Sequence, residues 1–144
     1  MIKVNNADPN IKDNDGKTPL HIASRNGHLD IVKCLVEEGK ANPNIKNDFG
    51  ETPLHIASYY GHLDIVKYLV EKGKADPNIK GEYKGETPLH LASRNGHLDI
   101  AKYLVEECKV DPNIKDNGGK TPLHYASEKG HLDIVNYLNS CPNF

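Results

Sequence analysis

Eight histidines in 144 residues are the first side chains here that could do chemistry. A neutral imidazole is the commonest protein ligand for zinc and a frequent general base. They fall into two sets. His21, His55, His90 and His124 each close a Thr-Pro-Leu-His phrase, and His28, His62, His97 and His131 each follow a glycine. No HxH or HExxH spacing occurs, and Cys34, Cys108 and Cys141 stand at irregular positions without a CxxC, so no set of metal ligands is spelled out. Ser24, His28 and Asp30 supply the residue types of a hydrolytic triad. The same three types recur in each copy of the phrase, whereas an active site converges different groups at one place. GxSxG, P-loop and GxGxxG patterns are absent. A side chain repeated at one offset answers a need of the repeating unit. The expectation is therefore structural histidines, with no catalytic residue, no metal and no cofactor.

The repeat itself dictates the elements that must carry these residues. TPLH begins at Thr18, Thr52, Thr87 and Thr121, in steps of 34, 35 and 34 residues, and GHLDI begins at Gly27, Gly61, Gly96 and Gly130. A phrase of the form Ala/Val-Asp/Asn-Pro-Asn-Ile-Lys occupies 7–12, 41–46, 75–80 and 110–115. Thr18 is a good helix N-cap, and Pro19 suits the first helical position, where a missing N–H costs nothing. A short helix is predicted from about Pro19 to Asn26, ended by Gly27. A second starts near Leu29, with Asp30 in its first turn facing the positive end of the helix dipole. Ile31, Val32, Leu35 and Val36 form its apolar stripe. Gly39 is expected to close it and Pro43 to stop its resumption. Asp15-Gly16, Phe49-Gly50, Lys84-Gly85 and Gly118-Gly119 mark turns between copies. Helices this short are marginal in isolation, so the units must stack into a solenoid and bury one another's apolar faces.

With those residues in view, DGKTPLHIASRNGHLDIVKCLVEEG resembles the ankyrin repeat, and the resemblance covers essentially the whole chain in four copies. It implies an all-α solenoid of helix-turn-helix units with β-turn fingers, first helices lining a concave surface and second helices the convex one. On this reading residues 1–12 are the tail of a preceding repeat. Repeats then span 13–46, 47–80, 81–115 and 116–144, the last with a C-terminal cap. The resemblance also implies that both histidine sets hydrogen-bond within and between units. Asn10, Asn44, Asn78 and Asn113 are read as capping and turn residues; in the family, asparagines here can be hydroxylated, a second reading. Two departures stand out. The usual period is 33, and each copy adds a lysine after its second helix (Lys40, Lys74, Lys109), while the third copy has a longer finger, KGEYKGE against KNDFGE. Cys108 also takes the place of Gly39 and Gly73; a positive φ there would cost a side chain about 1 kcal/mol.

Charge and composition narrow the partners. Lys plus Arg (18) nearly balance Asp plus Glu (20), for a formal charge of −2, and the lysines form no basic run. That argues against nucleic acid and anionic lipid as partners. No apolar stretch approaches a membrane span and the N-terminus has no secretory h-region. An odd, irregular set of cysteines reads as free thiols in a reducing, intracellular and cytoplasmic setting.

If repeated residues build the scaffold, recognition must sit where the copies disagree: at the fingers and at the ends of the first helices. The fingers differ at Asn14, Asp15 and Lys17; at Asp48, Phe49 and Glu51; at Glu82, Tyr83, Lys84 and Glu86; and at Asn117, Gly118 and Lys120. The helix ends carry Arg25-Asn26, Tyr59-Tyr60, Arg94-Asn95 and Glu128-Lys129. Tyr59, Tyr60, Phe49 and Tyr83 are expected to cluster on the concave face, flanked by Arg25 and Arg94, the two arginines of the chain, with Glu51 and Glu82 beside them. Tyrosine and arginine at the centre of a surface are the composition of a binding hot spot. Tyr68, Tyr103 and Tyr137 share one offset on the second helix, and Tyr125 occupies the slot of Ile22, Ile56 and Leu91; these four are read as packing. The expected function is a non-catalytic module binding an unidentified protein. The alternative is a spacer, or the targeting segment of a larger protein such as an enzyme. Asn139 and Ser140 replace Val70 and Glu71 where no unit follows, as a closing cap requires. A monomer is expected, with self-association through an uncovered first unit as its exception.

Overall fold

The structure, a computed structural model, describes residues 8–141; residues 1–7 of the expected N-terminal tail lie outside it. Among the described residues the chain forms eight helices and no strand. They run α1 (Pro19–Asn26), α2 (Leu29–Glu37), α3 (Pro53–Tyr60), α4 (Leu63–Glu71), α5 (Pro88–Arg94), α6 (Leu98–Glu106), α7 (Pro122–Lys129) and α8 (Leu132–Ser140).

Each first helix opens on a reciprocal cap. Thr18 Oγ1 accepts from the His21 N–H, and the Thr18 N–H donates to His21 Nδ1 at 3.1 Å. Histidine thus takes the role that Glu or Gln fills in the usual capping box. The same box forms at Thr52, Thr87 and Thr121. Because Nδ1 accepts, the proton sits on Nε2, which donates into the next unit: His21 to Glu51 O at 2.8 Å, His55 to Glu86 O at 3.0 Å and His90 to Lys120 O at 3.0 Å. The second histidine set reaches the other way. His62, His97 and His131 donate from Nε2 to the carbonyls of Arg25, Tyr59 and Arg94, each at 2.9 Å. Gly27 must be glycine twice over: its φ is +76°, and a Cβ would lie 2.8 Å from the His62 ring that stitches the two units.

His21, His55 and His90 must be neutral to make both bonds. Burial pushes His21 and His90 below the ordinary histidine range and His55 down to about 4. Between pH 6.5 and that value the unfolded chain binds the proton and the folded chain does not, so stability falls as pH falls. At pH 5, His55 alone withdraws about 2 kcal/mol, since one pKa unit is worth about 1.4 kcal/mol. Urea titrations at pH 7.5 and 5.0 are expected to show this loss, and His55→Gln to flatten the slope.

The exit from each second helix differs from the sequence expectation. Gly39 and Gly73 are absent from the left-handed region; Lys40, Lys74 and Lys109 occupy it, at φ of 56°, 60° and 58°. The added lysine is therefore the residue that turns the chain, and the following N–H reaches back into the helix: Ala41 to Leu35 O at 2.9 Å, Ala75 to Leu69 O at 2.8 Å and Val110 to Leu104 O at 3.0 Å. Cys108 carries no positive φ, so the cost anticipated for its side chain falls on Lys109 instead. Lys74→Gly is expected to raise stability by about 0.5–1 kcal/mol by removing the left-handed penalty, read as a shift in the urea midpoint at unchanged slope.

The first helices α1, α3, α5 and α7 pack on one another far more closely than α2, α4, α6 and α8 do. Tighter spacing on one layer curves the stack toward it, so the first helices and fingers line the concave side. The core between the layers holds Leu20, Leu54, Leu89, Ile65, Ile100, Leu69 and Leu104, none with exposed surface. On the convex side Tyr68, Tyr103 and Tyr137 donate their hydroxyls to Glu37, Glu71 and Glu106 of the preceding unit, at 2.5, 2.7 and 2.6 Å. Lys33, Lys67 and Lys102 lie over the same rings at 5.6–5.8 Å. Each tyrosine is clamped by an i, i+4 Lys/Glu pair and so packs between neighbouring units. Burial and the neighbouring Glu37 push the Tyr68 hydroxyl up to about 12.

The two ends are open to different degrees. Ile31 is half-buried where Ile65, Ile100 and Ile134 are fully covered, and Leu132 is 70 % exposed. Asn139 and Ser140 are exposed. Asn10 Oδ1 accepts from the Asn42 N–H at 2.9 Å, and Asn44 Oδ1 from the Asp76 N–H at 2.9 Å, so these asparagines tie successive loops together.

Candidate functional site

The fingers are joined edge to edge. The Asp48 N–H donates to Asp15 O at 3.0 Å, Glu82 to Phe49 O at 3.2 Å and Asn117 to Lys84 O at 2.8 Å. Within three of them an Asx side chain braces the turn. Asp13 Oδ1 accepts from Asp15 and Lys17, Asn47 Oδ1 from Phe49 and Glu51, and Asp116 Oδ1 from Gly118 and Lys120, all at 2.8–2.9 Å. The third finger has Gly81 at this place and so no such brace. It also holds the extra residue. Glu82 and Lys84 keep the ladder in register, and the residue between them, Tyr83, is looped out with 71 % of its surface exposed.

Three clefts follow one another along the concave face. The first, about 550 Å³, lies between α1, α3 and the first two fingers and is lined by Ile22, Ile56, Phe49, Tyr59 and Tyr60, with Asp13, Lys17, Arg25 and Glu51 among its polar groups. The second, about 180 Å³, runs between Phe49, Tyr83 and Leu91. The third, about 650 Å³, is lined by Tyr83, Lys84, Arg94, Asp116, Lys120, Tyr125, Glu128 and Lys129.

The expected residues fall on this face, though not as one cluster. Tyr59 and Tyr60 meet edge to face at 4.9 Å, and Phe49 meets Tyr83 at 5.9 Å. Phe49 links the pairs, since it lines both the first and the second cleft. Phe49, Tyr59 and Tyr60 are 48 %, 37 % and 42 % exposed, a large aromatic area left on a surface. Arg25 lies over the Tyr60 ring at 5.4 Å and makes no ion pair among the described residues. Arg94 shares the third cleft with Tyr83 but lies over none of these four rings. It is tied to Glu86 by an ion pair and lies 4.7 Å over Tyr125, whose hydroxyl donates to Asp116. Its charge is spent on its own neighbours, and Tyr125 is 6 % exposed beneath it. Glu51 accepts from Asn47 Nδ2 at 3.1 Å at the rim of the first cleft, and Glu82 is exposed on the third finger against Gly50.

Sequence reasoning missed Ile22 and Ile56 as part of this surface. Tyr125 is read as packing because it shares the slot of Ile22, Ile56 and Leu91, yet in that slot Ile22 is 45 % exposed at the floor of the first cleft. The signal is present in the chain: this is the one variable place inside the Thr-Pro-Leu-His-x-Ala phrase.

Among the described residues no group of three or more His, Cys, Asp or Glu side chains is placed to hold a metal ion, and no helix is long and apolar enough to cross a membrane. A family model described as ankyrin repeats (three copies) matches residues 1–81 and again 74–143. No curated protein matches the chain.

Proposed function

Because the chain belongs to the ankyrin-repeat family, whose members are in general non-catalytic protein-interaction modules, we propose that it binds a partner protein through its concave groove and fingers. The observation that carries this reading is the exposure of Phe49, Tyr59, Tyr60 and Tyr83 together on one face, continuous with the Ile22–Ile56 floor. A face of this composition is what a hot spot needs: large, stiff, amphipathic side chains that lose little entropy on binding. Arg25 and Glu51 supply polar groups at its edge, and Glu82 with Tyr83 an unbraced finger that can adjust to a ligand. Arg94 acts through the wall it forms with Glu86 and Tyr125.

The test is an affinity capture from extract of the source cells. Wild type is compared with Phe49→Ala/Tyr59→Ala/Tyr60→Ala/Tyr83→Ala after equal helicity and melting temperature are established. A partner retained by the wild type and reduced at least tenfold on the variant is expected. Partners retained equally by both would move recognition to the convex face or the termini.

A further inference from the structure

The groove is chemically polarised along its length. In the first cleft Lys17 and Arg25 are matched by Asp13 and Glu51, and the floor is apolar. In the third, Lys84, Arg94, Lys120 and Lys129 face only Asp116 and Glu128. Lys120 pairs with Glu128 at 3.0 Å, and Arg94 pairs with Glu86. Lys84 and Lys129 pair with nothing among the described residues and are exposed. That end of the groove thus holds two exposed lysines without an ion pair, against one carboxylate without an ion pair, Asp116, beside the exposed ring of Tyr83, although the chain as a whole is acidic, at −2.

Resting on the groove reading above, we propose that the partner presents an extended acidic segment with a large apolar anchor. The anchor side chain enters the cleft over Ile22, Ile56 and Tyr60, and carboxylates lie over Lys84 and Lys129. The two clefts are two repeat steps apart. Packed helices sit 8–10 Å from one another, so the span is about 20 Å. An extended chain rises about 3.3 Å per residue, which places the acidic residues about six positions from the anchor. Carboxylates there meet lysines that are in no ion pair of the described residues, so the cost of breaking an existing pair is avoided.

A displayed library of random 16-residue peptides, selected on the wild-type chain, tests this. Binders are then measured against Lys84→Glu/Lys129→Glu and against Tyr59→Ala/Tyr60→Ala, all substitutions at exposed positions. The expected binders carry a large apolar residue and two or more Asp or Glu about six positions away. They lose at least tenfold in affinity on the charge reversal, weaken with rising salt, and are lost from the tyrosine variant. Binders that lack acidic residues, or that bind the charge-reversed chain unchanged, while still lost from the tyrosine variant, overturn the acidic partner and leave the groove reading standing. If no peptide is enriched, or if binders ignore both variants, the groove reading falls and this inference with it.

Discussion

His55→Ala is expected to destabilise the chain by about 3 kcal/mol or more, and His124→Ala by less than about 1 kcal/mol, although both remove the same residue of the same phrase. At His55 the ring is 1 % exposed; its Nδ1 accepts from the Thr52 N–H at 3.0 Å and its Nε2 donates to Glu86 O at 3.0 Å. Truncation strands the buried Thr52 N–H, which costs about 1–3 kcal/mol, takes from the Glu86 carbonyl one of its two bonds (the Gly81 N–H keeps the other, at 2.9 Å), and opens a cavity besides. His124 keeps the first bond, Thr121 N–H to Nδ1 at 2.9 Å, but is exposed, and its Nε2 meets no acceptor among the described residues. Its loss costs little more than one solvent-facing cap. Equilibrium unfolding in urea checks the pair. Equal destabilisation would mean that the histidine serves its own helix only, and that the bond to the next unit contributes nothing.

The second large effect runs the other way. Ser24, Ser58 and Ser93, on α1, α3 and α5, are fully buried, and none of their hydroxyls has a hydrogen-bond partner among the described residues. An unpaired buried hydroxyl costs about 1–3 kcal/mol, and alanine is the better helix former. Ser24→Ala/Ser58→Ala/Ser93→Ala is expected to stabilise by about 3 kcal/mol in total, a rise of roughly 10 °C in Tm for a chain of this size. The fourth copy is the control: Ser127 is exposed, so Ser127→Ala should leave Tm within about a degree of the wild type. A lower Tm in the triple variant would show that the hydroxyls bond to helix carbonyls in solution.

Much of the fold could be read from the residues, because local signals and the repeat point the same way. Thr18-Pro19 and Gly27 mark both ends of α1, and the observed helix, Pro19–Asn26, is the one those signals require. What escaped was set by relations between units. The left-handed position after each second helix is a glycine's by propensity, yet the added residue moves it by one to Lys40, Lys74 and Lys109; spacing, not residue type, decides it. In the third finger the sequence shows that a residue is added but not which one leaves the ladder. Only the bonds of Glu82 and Lys84 identify Tyr83. Arg94 looks like Arg25 at the same offset, and the difference lies in Glu86 and Tyr125, which come from other segments. Ile22 and Leu91 occupy one slot, but whether the slot is floor or core depends on what covers it.

Whether recognition belongs to the concave face can be read from hydrogen exchange of the chain with and without its captured partner. Slowed exchange is predicted in the fingers at 47–51 and 81–86 and at the ends of α1 and α3, with α2 and α4 unchanged. Protection confined to α2, α4, α6 and α8, with the fingers exchanging as in the free chain, would contradict it.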